Sequence, residues 1–114
     1  MAYDTNNVFA CRKVYEDAHV LAFHDIQPQT PTHVLVIPKG AYVSWDAFSA
    51  QASEAEIAAL VRAAGRIARD LGVAEGGYRL LSNSGRAARQ EVPHLHLHIF
   101  AGSDLGRMIK PADK

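Results

Sequence analysis

The sequence has few of the features that mark secreted, membrane-bound or nucleic-acid-binding proteins. Its 114 residues include one cysteine, Cys11, so no disulfide can form within the chain, and a lone thiol fits a reducing compartment. No apolar run approaches the ~20 residues of a membrane-spanning helix, and the start lacks the charge and apolarity of a signal peptide. Twelve basic and twelve acidic residues balance, which argues against a broad surface for nucleic acid or anionic lipid. We therefore expect a cytoplasmic protein with no nucleic-acid or membrane partner.

Length and pattern predict a single α+β domain over residues 1–114, with a short N-terminal arm at 1–11 and a C-terminal tail at 103–114. The chain is long enough for one core, and no repeat or linker divides it. Residues 12–16 and 19–24 are typical of a hairpin, and the β-branched run 32–38 of a buried strand. Strands are also expected at 78–83 and from residue 94. The order favours an antiparallel sheet of about five strands with one main helix on one face.

That helix is the clearest element of the sequence. Ser53 and Glu56 have the spacing of a capping box, and Gly72 stands where a C-terminal glycine ends a helix. Between them, apolar residues recur at helical spacing, while Glu54 and several arginines occupy the other face. The pattern predicts an amphipathic helix that packs its apolar face on the sheet.

Half of the six histidines stand at two-residue spacing in His94, His96 and His98. Because successive side chains of a strand point to opposite faces, this spacing predicts an imidazole row on one face, with Leu95, Leu97 and Ile99 on the other. A solvated surface row is one interpretation. A metal site is a second, although the Cα atoms of His94 and His98 would lie roughly 13 Å apart at ~3.4 Å per residue, too far to share one ion with His96 easily.

A third interpretation requires the fewest assumptions: one imidazole acts as a nucleophile towards phosphorus while its neighbours supply protons or positive charge. Upstream, Asp25 is flanked by Phe23 and Ile26 and could accept both hydroxyls of a ribose, although an aspartate before a proline-containing loop is more often a turn residue. His33 begins the buried strand and could be structural. The polar loop at 84–93 could supply arginine charge and backbone N–H groups to a phosphate, or be a solvated loop.

These motifs together resemble the histidine triad (HIT) superfamily, and within it the histidine triad nucleotide-binding branch. The stretch from His94 to Phe100 meets the pattern His-φ-His-φ-His-φ-φ, where φ is apolar. The runs 21–26 and 31–39 also resemble that branch, and Asn83 stands at the expected distance before the triad. The uridylyltransferase branch has Gln in place of His98, and the fragile-histidine-triad branch has Gln in place of Asn83. The resemblance covers roughly residues 14–102.

The resemblance implies a homodimer that pairs through the main helix and a central strand. It implies hydrolysis of nucleoside 5′-phosphoramidates and related nucleotidyl compounds at the α-phosphorus, through a covalent nucleotidyl-histidine, with a purine nucleotide as substrate and no cofactor or metal required. His96 would be the nucleophile, His94 would orient it through its backbone carbonyl, and His98 would contact the phosphate and assist the departing group. His33 would support them.

The same resemblance implies nucleotide-binding residues. Asp25 would hold the ribose, and the base would lie against Phe23, Ile26 and Leu35. The phosphate and the departing group would meet Asn83 and the loop residues Arg89, Gln90 and Glu91.

The chain departs from the family pattern at three places. Arg89 stands where glycine is usual, and Glu91 stands where a hydroxyl residue is usual. The segment between Phe9 and the first strand is also shorter than in the family. The altered loop and the short segment motivate one alternative, a nucleotide-binding or regulatory dimer with little turnover. A dinucleoside polyphosphate hydrolase and a histidine-based metal protein are further alternatives.

Overall fold

The structure, a computed structural model, describes residues 12–107. Within them the chain forms strands and helices in the order β1 (Lys13–Glu16), β2 (Val20–His24), β3 (Thr32–Pro38), α1 (Trp45–Gln51), α2 (Glu54–Asp70), β4 (Arg79–Leu81) and β5 (Leu97–Ala101). The strands make one antiparallel five-stranded sheet in the order β1-β2-β3-β5-β4. This confirms the predicted α+β class. Cys11, the arm at 1–11 and the end of the tail lie outside the described residues.

The two faces of the sheet have different partners because side chains alternate along β2, β3 and β5. Val20, Val34, Val36, Leu97 and Ile99 join one buried core cluster with the α2 residues Leu60, Ala63, Ala64 and Ile67. The opposite face carries a second apolar cluster of Leu21, Phe23, Leu35 and Ile37. Helix α2 therefore covers one face, and the histidine-bearing face lies on the other side of the sheet. No helix in residues 12–107 is long and apolar enough to cross a membrane.

Helix α2 begins and ends as the sequence predicts. The Ser53 hydroxyl accepts from the Glu56 N–H at 3.1 Å, and the Glu56 carboxylate accepts from the Ser53 N–H at 3.0 Å. At the other end Gly72 has φ +75°, and the N–H of Val73 donates to the Ala68 carbonyl at 3.0 Å. Both capping motifs satisfy backbone groups that the helix itself leaves open.

The sequence reading missed helix α1 and overestimated β4. Helix α1 has seven residues, too few for a clear hydrophobic period; it is capped by Ser44 and buries Phe48. Strand β4 covers only Arg79–Leu81 of the predicted 78–83. Strand β5 begins at Leu97, so His94 and His96 precede it. Strand β4 therefore ends earlier, and β5 begins later, than predicted, because the backbone of the loop at 82–96 does not pair with a neighbouring strand.

We expect Ser53→Ala to lower the free energy of unfolding by about 1 kcal/mol, because it removes the side-chain acceptor that caps α2. Urea unfolding followed by circular dichroism measures the change. Ser103→Ala, at an exposed position outside the helices, is the matched control. Equal stabilities of the two variants would contradict the role of the cap.

Candidate active site

The site is assembled by the pairing of β3 with its two neighbours. Leu35 is in register with Phe23 of β2 and with His98 of β5. Two residues earlier on the same face, His33 is in register with Phe100. This register brings His33, a predicted site residue far from the histidine row in sequence, next to His98.

The three histidines of the row have different surroundings. His94 is buried and its Nε2 donates to the carbonyl of Pro38, at the end of β3, at 2.9 Å. The backbone carbonyl of His94 in turn accepts from His96 Nδ1 at 2.8 Å. Because a carbonyl can only accept, the proton of neutral His96 is on Nδ1 and its Nε2 carries a lone pair. The apolar residues Leu95, Leu97 and Ile99 lie in the core beneath α2, as the alternation predicts.

A chain of hydrogen bonds likewise sets the tautomers of His33 and His98. The backbone N–H of Gln29 donates to His33 Nδ1 at 3.2 Å, so the proton of neutral His33 is on Nε2. That nitrogen lies 2.9 Å from His98 Nδ1, which must therefore accept. Neutral His98 then carries its own proton on Nε2 and can donate it elsewhere.

Burial keeps these imidazoles neutral. It is the main cause that lowers the pKa of His98 to about 4, with further contributions from the charges of His96 and His33. Burial also lowers the pKa of His33, against the opposing effect of Asp25, whose carboxylate lies 3.6 Å from His33 Nε2. The pKa of His94 is lowered by burial too, with the hydrogen bond to Pro38 acting in the opposite direction. These histidines are thus neutral donors and acceptors near pH 7.

The predicted nucleoside-binding residues divide by exposure. Phe23 and Leu35 are buried on the histidine face. Ile26 is 76% exposed. Asp25 is half-buried, and its Oδ1 accepts from the Gln27 N–H at 2.8 Å, so this carboxylate caps its own loop as well as facing His33.

A cleft of about 270 Å³ opens over His96 and His98. Its walls bring together most of the predicted site residues: Asp25, Leu35, Asn83, Arg89, Gln90, Glu91, His96 and His98. Phe23, Ile26, His33 and His94 do not line it. Of these, His33 and His94 are buried and act on the lining histidines through hydrogen bonds.

The loop from 84 to 92 is held by the side chain of Gln90. Its Oε1 accepts from the Gly85 N–H at 2.9 Å, and its Nε2 donates to the carbonyls of Val43 at 2.6 Å and Val92 at 2.9 Å. Gln90 was predicted to meet phosphate, but its amide is engaged with backbone in this structure. In this structure the Gln90 side chain holds the loop at the cleft.

Sequence reasoning missed four contributors to the site. Gln27, Gln29 and Val92 line the cleft, and the Phe100 ring is stacked on His98 with an interplanar angle of 7°. The contribution of Gln29 to the tautomers comes from a backbone N–H, which residue type cannot reveal. Phe100 could have been found, because it lies two residues after His98 and so on the same strand face. Within residues 12–107, no three His, Cys, Asp or Glu side chains are arranged to hold a metal ion.

Comparison with known proteins places this geometry in a family. The family model described as the HIT domain matches residues 6–105. An uncharacterised 13.2 kDa HIT-like protein from Azospirillum brasilense is 64% identical, over 94% of each chain. A purine nucleoside phosphoramidase from Escherichia coli K12 is 43% identical, over 84% of this chain and 80% of that protein. Among solved structures, a HIT family hydrolase from Clostridium thermocellum is 41% identical with a TM-score of 0.75, covering 88% of this chain and 86% of that one.

The depressed histidine pKa values predict a loss of stability in mild acid. The pKa of His98 is about 4 in the folded protein against 6.5 in an unfolded chain. Between these values the unfolded state takes up a proton that the folded state does not, so the free energy of unfolding must fall as the pH drops from about 6.5 towards 4. His33 and His94 act in the same direction.

Urea unfolding at several pH values measures this loss, and histidine NMR titration measures the pKa of His98 directly. In His98→Asn the side-chain oxygen can still accept from His33, and we expect a shallower dependence of stability on pH. A His98 titration midpoint near 6.5 would contradict the prediction.

Proposed function

Because the chain belongs to the HIT domain family, we propose that it is a nucleotide-binding hydrolase of the histidine triad nucleotide-binding branch. Its relatives include proteins named as hydrolases, one of them a purine nucleoside phosphoramidase, and hydrolase is the broad class to which this chain belongs. The proposed reaction is cleavage of nucleoside 5′-phosphoramidates and related nucleotidyl compounds at the α-phosphorus. The observation that carries the proposal is the hydrogen bond from His96 Nδ1 to the His94 carbonyl.

That hydrogen bond gives His96 the tautomer of a nucleophile. With the proton on Nδ1, the Nε2 lone pair attacks phosphorus and the bond from phosphorus to the departing group breaks. The imidazole gains positive charge as the new P–N bond forms, and the His94 carbonyl accepting from Nδ1–H stabilises that charge. Water then attacks the nucleotidyl-histidine and loses one proton to solvent, which balances the proton taken up by the amine. The bond from phosphorus to Nε2 breaks, the nucleotide is released, and His96 is restored with its proton on Nδ1.

The neighbouring histidine supplies a donor for the same steps. Neutral His98 carries its proton on Nε2, since its Nδ1 accepts from His33. We propose that this N–H donates a hydrogen bond to a phosphate oxygen and assists the departing amine, which takes its proton from water. His33 is a positioning residue in this scheme, because it acts on the substrate through His98. The scheme requires neither a metal nor a cofactor.

The remaining walls suit a nucleotide. We propose that Asp25 holds the ribose hydroxyls and that the purine base lies against Leu35 of the cleft and extends beyond it, next to the buried Phe23, which pairs with Leu35, and the exposed Ile26. We propose that Asn83, Arg89 and Glu91, which line the cleft together with His96 and His98, contact the phosphate and the departing group.

We further propose a homodimer in which the main helix takes part. Four large apolar side chains are exposed along one groove of about 560 Å³: Trp45, Val61, Tyr78 and Leu80. Val61 lies on α2 and Leu80 on β4, which is the last strand in the sheet order. Exposed apolar patches of this kind mark association surfaces, so the contact would join α2 and the β4 edge of two copies.

We expect His96→Ala to reduce hydrolysis of adenosine 5′-phosphoramidate to AMP by at least roughly a thousandfold, because no other group replaces the nucleophile. The assay is run with a chelator present, which also tests independence of metal. Mass spectrometry of the rapidly quenched wild-type protein should detect an adenylyl group on His96. Circular dichroism checks that the variant is folded.

Turnover of His96→Ala at the wild-type rate would show that His96 is not the nucleophile. Tight AMP binding by wild type with no hydrolysis of phosphoramidates or of a dinucleoside polyphosphate would instead favour the regulatory alternative. Hydrolysis of the dinucleoside polyphosphate alone would reassign the substrate class.

We expect Leu80→Glu to convert the dimer to monomer, because it would place a charge in an apolar contact. Sedimentation velocity measures the mass of each variant. Ala74→Glu introduces the same charge at an exposed position outside the groove and should leave the dimer intact. A monomeric wild type, or a dimer unaffected by Leu80→Glu, would contradict this surface.

A further inference from the structure

The loop that closes the cleft holds Arg89 in an unusual backbone conformation. Arg89 has φ +59° and is the single non-glycine residue with positive φ among residues 12–107. Its N–H donates to the Arg86 carbonyl and the next N–H, of Gln90, donates to the Gly85 carbonyl, both at 3.0 Å. With the Gln90 side chain also bonded to Val43, the loop is held at both ends. Strained positions of this kind concentrate at binding and catalytic sites.

The Arg89 side chain is available at the cleft. It is exposed and lines the cavity over His96 and His98. Within residues 12–107 its guanidinium has no ion pair or side-chain hydrogen bond, and the same holds for the carboxylate of Glu91. The loop therefore presents an uncompensated cation to whatever occupies the cleft.

The charges of the cleft make this cation important for an anionic substrate. Arg89 is the one arginine or lysine among the described lining residues, whereas Asp25 and Glu91 are both carboxylates there. The imidazoles of His33 and His98 are neutral near pH 7 because their pKa values are lowered. Among the described residues that line the cleft, Arg89 is therefore the one fixed positive charge that can match a further negative charge on the substrate.

We propose that Arg89 determines specificity by binding a carboxylate on the departing amine, so that the preferred substrates are phosphoramidates of amino acids bonded through their nitrogen. This proposal rests on the proposed function, in which Asp25 takes the ribose and the His96–His98 pair takes the α-phosphate. The part of the substrate left for the loop to contact is the departing amine, on the other side of the phosphorus atom. The chemistry is unchanged: the P–N bond breaks, and the amino acid leaves as the free amine with its carboxylate intact.

The test compares two substrates that differ only in the charge of interest: the adenosine 5′-phosphoramidates of glycine and of glycinamide. We expect the wild type to hydrolyse the glycine compound with a kcat/KM on the order of tenfold higher, the size of a charge-assisted contact at an exposed site. In Arg89→Asn and Arg89→Gly the ratio should fall to about one. Both replacements tolerate positive φ, so the loop keeps its shape while the charge is lost.

Three further variants make the test specific. Arg89→Lys keeps the charge and should retain part of the preference. Glu91→Gln removes a negative charge that would repel the substrate carboxylate, so it should increase the preference for the glycine compound. Arg86→Gln removes a cation from the same loop but outside the cleft lining, and should leave the ratio unchanged.

Equal kcat/KM values of the wild type for both substrates would overturn the proposal. An equal loss of kcat/KM on both substrates in Arg89→Asn would also overturn it, because Arg89 would then bind the α-phosphate that the substrates share. If the wild type hydrolyses neither compound, calorimetry with His96→Ala decides. Tighter binding of the glycine compound that depends on Arg89 supports the contact even though the proposed reaction fails. Absence of binding overturns both proposals.

Discussion

The antiparallel pairing of β3 with β5 is the constraint on which the rest of the site depends. Its register sets His33 opposite Phe100 and Leu35 opposite His98. A shift of one residue would turn the whole face of β3 over, because side chains alternate. Val34 and Val36, which now pack beneath α2, would then face the histidines. The buried helix face thus holds the register, and the register brings the imidazoles together.

Hydrogen bonds to backbone then make the equally spaced histidines unequal. The carbonyl of His94 fixes the proton of His96, and the N–H of Gln29 fixes the proton of His33 and so that of His98. These partners have fixed donor or acceptor character, so neither chain of bonds can reverse while the rings remain neutral. Burial keeps the pKa values of His33 and His98 low enough for these two rings to stay neutral near pH 7. Packing and tautomer choice are therefore parts of one arrangement.

The loop before the histidines has a backbone held by hydrogen bonds and charged side chains at the cleft. The side-chain amide of Gln90 is hydrogen-bonded to the backbone of Gly85, Val43 and Val92. The charged side chains of Arg89 and Glu91 line the cleft instead. Because Gln90 holds the backbone of this loop, we expect charged residues at positions 89 and 91 to be replaceable without moving His96. In the proposed function the histidines supply the chemistry, and the loop contains two of the positions, Arg89 and Glu91, at which this chain departs from the family pattern.

The sequence by itself determined the elements with strong local signals: strand 32–38, the capped helix ending before Gly72, and the alternation that separates Leu97 and Ile99 from His98. It also indicated Asp25, Asn83 and the loop as partners of the row, through the family resemblance. It did not reveal α1, which is too short for periodicity. Nor did it reveal the part of Gln29, which acts through its backbone N–H, or that of Gln90, whose amide bonds the distant Val43 carbonyl. The resemblance already implied the His94 carbonyl as the partner of His96, but only the tertiary structure decided which nitrogen of His33 and His98 carries the proton, because these two rings meet across the sheet from distant parts of the chain.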